Sequence, residues 1–334
     1  MNNVRQEVSL YQQLIDAGAS CGEAAGILDI PYLRAAHQRR QRIIEAAGSA
    51  TLDGRPTTTE RLFAWLGDIP IVAQANLGAE GYAADLFRLL IKQDLSDPFG
   101  IEVRDLADAA RAKAGRDPLL AAAFLFRGQD AVTQASRAAY FLFLRGALGA
   151  AEPAMSPSFN GLAAAARRPS AEFDRYIADR LARAGRRALA NAKALRFGLA
   201  AAYSVLGTAR SSSRVHAIAE LLFAGHPLSI ARASRLFHIS RLAARTHLVR
   251  LERDGIAERA TRSKTGVIYV ARDGLMTFGQ VTPAPPPKDS SRLVVNAGKP
   301  LSADERARLE AASDDVAARM QELDSLLQRL NPSN

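Results

Sequence analysis

RVHAIAELLFAGHPLSIARASRLFHISRLAARTHLVRLERDGIAERATRSKTGVIYV, residues 214–270, carries three helix signals and one hairpin signal in close succession. Val215, Ile218, Leu221 and Leu222 recur at three- and four-residue spacing, which predicts a first helix with one buried stripe. Gly225 ends that helix and Pro227 cannot continue it. Ser229 stands where an N-cap would open a second helix, which buries Ala233, Leu236 and Phe237. A tight turn at Phe237 to Ser240 follows, filled by Ile239. Ser240 then caps a third helix that buries Ala244, Leu248 and Leu251. Gly255 supplies a left-handed stop, and Ile256 returns the chain to the core. Glu258 to Val270 reads as a hairpin, with Arg259, Arg262 and Lys264 toward its tip. Helix, helix, turn, Arg-rich helix and basic hairpin together predict a winged helix-turn-helix.

The outward face of the third helix carries Arg241, Leu242, Arg245, Thr246 and Val249. A recognition helix meets base edges with its N-terminal half. A guanidinium offers guanine two parallel hydrogen bonds, a geometry that lysine cannot match. Arg241 and Arg245 are therefore the expected base readers. Leu242 and Thr246 complete that face, Thr246 as a hydrogen-bonding or thymine-methyl contact. Ser229 and Ser240 are expected to offer hydroxyls and helix N-termini to phosphate. Arg250 and Arg253, later on the helix, are expected to touch phosphate or to pair with Glu252 and Asp254. Arg259, Arg262 and Lys264 are the expected backbone contacts of the wing.

Charge distribution agrees with that placement. The 334 residues carry a net charge of +10. The excess is +6 over residues 161–202 and +7 over 203–276, against −2 over 1–160 and −1 over 277–334. A concentrated basic block beside a helix-turn-helix pattern points to phosphate contact, whereas a diffuse excess would not.

The composition is rich in Ala, Leu and Arg and poor in strand-type runs, so a mainly α protein is expected. Single Cys21 excludes an intramolecular disulfide and a cysteine-based zinc site. The apolar runs are shorter than the roughly 20 residues of a membrane span. The first residues, MNNVRQEVSLYQQ, lack the apolar core of a signal peptide, which predicts a cytoplasmic, nucleoid-associated protein.

Five segments are expected. Residues 1–160 form a helical N-terminal domain. In it, residues 6–47 form two helices, the second over Leu33–Ala47, on either side of a turn around Leu28 to Pro31 stopped by the proline. A loop, DGRPTTT at 53–59, precedes a helix capped by Thr59. Helices over Tyr82–Leu95, Val103–Ala114 and Leu119–Phe126 lead to Thr133–Leu148, the expected central core helix. Pro153, Pro157, Gly161 and Pro169 break the pattern between 149 and 170. Residues 161–206 are a basic connecting helix, and 207–276 are the winged helix-turn-helix. Residues 277–300 are a Pro-rich linker. In 301–334, Ser302 and Glu305 fit a capping box. Leu309, Val316, Leu323 and Leu330 then recur every seven residues, interleaved with Ser313, Met320 and Leu327, which predicts a coiled-coil-like dimerisation helix. An amphipathic helix folded back on its own core is the other reading of that pattern.

ISRLAARTHLVRLERDGIAERA resembles the recognition-helix region of multiple-antibiotic-resistance-type bacterial regulators, including the ending from Leu251 to Arg259. RSSSRVHAIAELLFAGHPLSIARASRLFHIS more closely resembles a group of bacterial, often plasmid-borne, helix-turn-helix proteins with an uncharacterised helical N-terminal domain. RRQRIIEAAGSATLDGRPTTTERLFAWLG is similar to that group as well. The resemblance implies DNA binding in transcriptional or plasmid-maintenance regulation, and implies no ligand. Ser49 to Gly54, SATLDG, resembles the inhibitory-helix motif of nucleotide-transferring Fic proteins, with Asp53 where that motif has Glu. The histidine-containing, glycine-rich catalytic loop of those enzymes is missing from the sequence.

No HExxH, P-loop, GxSxG or strand-linked GxGxxG occurs, and the five histidines are scattered. The sequence therefore predicts no catalytic residues, no metal and no cofactor. The expected function is sequence-specific binding of duplex DNA by a homodimer. A protein-docking or replication and segregation role for the winged helix is the alternative, and a degenerate Fic-like enzyme ranks below both.

Overall fold

The computed structural model describes residues 2–67, 77–92, 97–127, 132–207, 214–260 and 267–272. Within them the protein is mainly helical, with one small antiparallel sheet. The linker at 277–300 and the predicted helix at 301–334 lie outside the described residues.

Two long helices open the chain, α1 (Asn2–Ile27) and α2 (Pro31–Leu52). Pro31 begins α2 rather than merely ending α1, because at the first helical position its missing N–H costs nothing. Helix α3 (Thr59–Leu66) is capped by Thr58 and not by Thr59: the Arg61 N–H donates to Thr58 Oγ1 at 3.2 Å. Helix α4 (Leu77–Lys92) starts five residues earlier than its apolar stripe suggests, and α5 (Pro98–Ala114) opens on an Asp97 cap. Helices α6 (Pro118–Arg127) and α7 (Gln134–Leu148) follow, α7 with a reciprocal Thr133–Ser136 capping box. Tyr140, Phe141, Phe143 and Leu144 of α7 are all buried, as its apolar run predicts. Tyr140 and Phe159 pack edge-on or tilted around Phe126 at centroid distances of 5.2–6.0 Å.

Residues 149–161 do break the helical pattern, into two short 3-10 turns. They nonetheless pass through the interior: Ala151, Glu152, Ala154, Met155, Ser156 and Phe159 are buried. Backbone polar groups taken from water need partners, and α2 supplies them from one face at four-residue spacing. His37 Nε2 contacts the Ala151 carbonyl at 2.9 Å. Gln41 Oε1 accepts from the Ala154 N–H at 3.1 Å. Glu45 accepts from the Met155 and Ser156 N–H groups at 2.7 and 2.9 Å, and from the Ser156 hydroxyl at 2.5 Å. Between these rungs Arg42 pairs with buried Glu152 at 3.2 Å, and Arg145 of α7 reaches the same carboxylate at 2.9 Å. The two ion pairs hold Glu152 in a left-handed conformation, φ 32°, that a side chain with a Cβ rarely adopts.

After α8 (Leu162–Ala166), the 37-residue helix α9 (Ser170–Leu206) packs most extensively on α1. Small residues permit the close approach: a Cβ at Gly185 would lie 3.2 Å from the Ala17 carbonyl oxygen. One apolar cluster joins α2 through α7 to the first half of α9. A second joins α1, the start of α2 and the end of α9 to α10 (Val215–Phe223), α11 (Ile230–Leu236) and α12 (Arg241–Arg253). Residues 214–272 therefore share their core with the helices before them. Tyr32 and Arg40 of α2 add hydrogen bonds to the Glu220 and Phe223 carbonyls at the end of α10. Strands β1 (Leu228–Ser229), β2 (Ala257–Arg259) and β3 (Ile268–Ala271) form the sheet in the order β1-β3-β2. Among the described residues no helix is long and apolar enough to cross a membrane.

Two predictions arise from the α2 face. A Cβ at Gly48 would sit 2.7 Å from the backbone N and Cδ of Pro157, while one at Gly22 meets nothing within 4 Å. Gly48→Ala is expected to lower stability by about 1–3 kcal/mol. Gly22→Ala, inside α1 near its C-terminal end, is expected to raise it by about 0.5–1 kcal/mol. Urea unfolding midpoints at constant slope check both. Burial holds the His37 imidazole down, from 6.5 to about 4, and depresses His226 in the same direction. The folded state thus keeps both rings neutral. Their contribution is fully present above pH ~6.5 and is lost as pH falls toward the folded value. For His37 this amounts to about 3 kcal/mol. The urea midpoint should fall between pH 7 and pH 4, and His37→Gln should flatten that fall; an unchanged slope refutes the assignment.

Candidate nucleic-acid interface

Caps and turns fix the described junctions of residues 214–260. Gly225, φ 83°, turns the chain out of α10. Ser229 caps α11, its Oγ accepting from the Arg232 N–H at 3.1 Å, and Ser240 caps α12 through the Ala243 N–H at 3.1 Å. Ser229 also pairs with Ile268 across β1 and β3, so the start of α11 is fixed to the sheet. The turn between the helices places His238 at φ 50°. Ser234 closes it, donating its hydroxyl to the Ile239 carbonyl at 2.6 Å. The helical stripe does not single out Ser234, although a serine one turn before a tight turn is a residue able to bond the backbone there.

Helix α12 divides cleanly. Ala244, Leu248 and Leu251 are buried against the second cluster. Arg241, Leu242, Arg245, Thr246 and Val249 are exposed together on the opposite side. Leu242 is 74% exposed, the highest value among the exposed large apolar side chains described, so nothing in the described fold covers this face. The Thr246 hydroxyl donates to the Leu242 carbonyl at 2.9 Å. Of the second helix's expected core residues, Ala233 is buried while Leu236 and Phe237 are only half-buried.

The cations sort by position along α12. At its C-terminal end Arg250 and Arg253 pair with Asp254 at 3.4 and 3.0 Å, and Arg259 pairs with Glu252 at 2.7 Å. Arg250 also donates to the Leu206 carbonyl at 3.3 Å and so closes the end of α9. The carboxylates thus draw three of the expected phosphate contacts into intramolecular pairs. At the N-terminal end Arg241 and Arg245 have no ion-pair partner among the described residues. The helix dipole adds positive potential there. His247 is half-buried, its imidazole held below the ordinary value by burial and by Arg250.

Residues Arg262 and Lys264, the expected wing tip, lie outside the described residues, as do Leu309, Val316, Met320, Leu323, Leu327 and Leu330. Strands β2 and β3 pair antiparallel, Ala257 opposite Ala271 and Arg259 opposite Tyr269. In the Fic-like stretch, Arg137 of α7 donates to Ser49 at 3.3 Å and to Asp53 at 2.5 Å, and the Tyr82 hydroxyl donates to Asp53 at 2.9 Å. Ser49 and Asp53 thereby tie the end of α2 to α4 and α7. Among the described residues no group of three or more His, Cys, Asp or Glu could hold a metal ion. Compared with known proteins, the chain matches no family model and no curated protein.

The exposed face carries no packing role, which gives a stability test. Arg241→Ala, Leu242→Ser and Arg245→Ala are each expected to change stability by less than about 0.5 kcal/mol. Leu248→Ala, on the buried side of the same helix, is expected to cost about 2–5 kcal/mol. Equilibrium urea unfolding separates the two classes; a large cost at Leu242 would mean that this face is covered.

Proposed function

We propose that this protein binds duplex DNA sequence-specifically, with residues 214–272 acting as a winged helix-turn-helix and α12 lying in the major groove. The observation that carries this reading is the sorting of charge on α12. Among the described residues, Arg241 and Arg245 stand without ion-pair partners at its N-terminal end, beside exposed Leu242 and Thr246, while the arginines at the other end are paired. That is the end of a recognition helix that reads base edges. The order β1-β3-β2, with β1 leading into α11 and the hairpin following α12, suits a wing set beside the recognition helix. In this reading the protein is a cytoplasmic regulator of transcription or plasmid maintenance and not an enzyme. Residues 301–334 pair two copies on half-sites about 34–36 Å apart.

Selection of bound duplexes from a random-sequence library, followed by fluorescence anisotropy on the recovered site, tests the proposal. Arg241→Ala and Arg245→Ala should each cost about 1–3 kcal/mol on that site and relax one base position. Lys264→Ala should weaken all duplexes alike. Leu242 and Val249 would also suit a protein partner, and salt separates the two readings. A protein-docking module binds no duplex even at ~50 mM salt, where phosphate contacts are strongest.

A further inference from the structure

The irregular segment that crosses the core emerges against α9, and a cavity of about 460 Å³ opens there. It is lined by Arg180, Arg183, Arg186 and Arg187 together with Ser158 and Asn160. We propose that this groove binds a small molecule carrying two or more phosphate groups. The site does not depend on the DNA-binding reading.

Four guanidiniums within three turns of one helix repel one another, and two carboxylates, Asp179 and the buried Glu45 whose charge reaches Arg187, compensate them only in part. Asp179 pairs with Arg180 at 3.6 Å and with Arg183 at 3.0 Å. Among the described residues no carboxylate lies within ion-pair distance of Arg186 or Arg187. The arginines are also oriented in advance. Arg187 donates to the Ala154 carbonyl at 3.1 Å and to the Ser158 hydroxyl at 2.7 Å, both in the segment held by Glu45 and Gln41. Arg180 stacks on the Tyr176 ring at 4.9 Å from its centroid. A fixed fork of N–H donors loses little freedom when it engages a phosphate, and arginine matches phosphate geometry bidentately.

The space beside the groove and its distance from α12 favour a small ligand over a nucleic-acid backbone. The groove is concave and of the size of ordinary ligand sites. A second cavity of about 350 Å³ adjoins it, sharing Pro157 and Asn160. Ile44, Leu52, Thr57, Thr58 and the Glu60 carboxylate line this second space, so its apolar floor and hydroxyls suit the uncharged remainder of such a molecule and its acid disfavours a further phosphate there. Arg187 stands nineteen residues before Leu206, where α9 meets α12. At 1.5 Å per residue this is about 28 Å of helix, so the groove lies apart from the α12 face.

Titration calorimetry on the full chain, with sodium tripolyphosphate, ATP and sulfate as probes, tests the proposal. Tripolyphosphate and ATP should bind saturably, one per chain, and sulfate should bind more weakly. Arg183 and Arg186 are exposed, so the double variant Arg183→Ala/Arg186→Ala should fold, as circular dichroism checks. It should weaken both polyphosphates by roughly tenfold or more. Arg241→Ala/Arg245→Ala should leave them unchanged. ATP binding more tightly than tripolyphosphate assigns the adjoining cavity to the same ligand. The proposal fails if neither polyphosphate binds saturably, or if the α9 double variant binds as the wild type does. It also fails if that variant loses duplex DNA together with tripolyphosphate, which would make the groove a backbone contact for DNA.

Discussion

A buried stretch of irregular backbone must find its hydrogen bonds inside the protein, and residues 151–156 set that requirement here. In a helix each N–H finds its carbonyl four residues away. Between the two 3-10 turns it does not, and water is excluded. Helix α2 answers with His37, Gln41 and Glu45, each one turn after the last. The cost appears in the titration of the same groups: burial pushes the Glu45 carboxyl up against the hydrogen bonds and the Arg137 charge that pull it down, and holds the His37 ring neutral. An unpaired polar group at this depth would cost more than an ordinary hydrogen bond returns, which is why α2, the turns and α9 are mutually dependent.

Helix α9 transmits that order to the rest of the molecule. Its middle receives the turns through Arg187 and lies on α1 through Gly185, and its end is closed by Arg250 of α12. Abundant alanine suits this arrangement, because small side chains bring helix axes close enough for dense packing. The last three helices and the sheet inherit a fixed platform. Tyr32 and Tyr203 both reach Glu220 of α10, one at its carbonyl and one at its carboxylate. Phe223 fills the space that Gly198 leaves on α9.

Much of the candidate interface is legible in the amino-acid sequence, and for a local reason. Caps, stops and the 3.6-residue stripe of 214–260 act over a few residues, so Ser229, Ser240, Gly225 and Gly255 mark element ends wherever the segment sits. The exposed set of Arg241, Leu242, Arg245 and Thr246 follows from the same periodicity. The fates of Arg250 and Arg259 are less legible. Asp254 and Glu252 are visible as partners, but the Leu206 carbonyl that also holds Arg250 lies 44 residues away in sequence. The Thr58 cap and the early start of α4 escape the periodicity because polar or small residues precede the apolar stripe in each case.

The polar face of α2 marks where sequence stops and tertiary structure begins. By itself the sequence determined that α2 is a helix and that α12 has one apolar and one cationic side; it placed a break over 149–170, within which the structure forms α8 at Leu162–Ala166. Helical periodicity and turn chemistry are local energies, so they can be read in order along the chain. Only the tertiary structure decided that His37, Gln41 and Glu45 face inward. A stripe of polar residues ordinarily faces water, and it turns to the core here because distant backbone needs donors and acceptors. The arginine groove has the same origin: Ser158 and Arg187 are 29 residues apart, and the fold alone brings them within 2.7 Å.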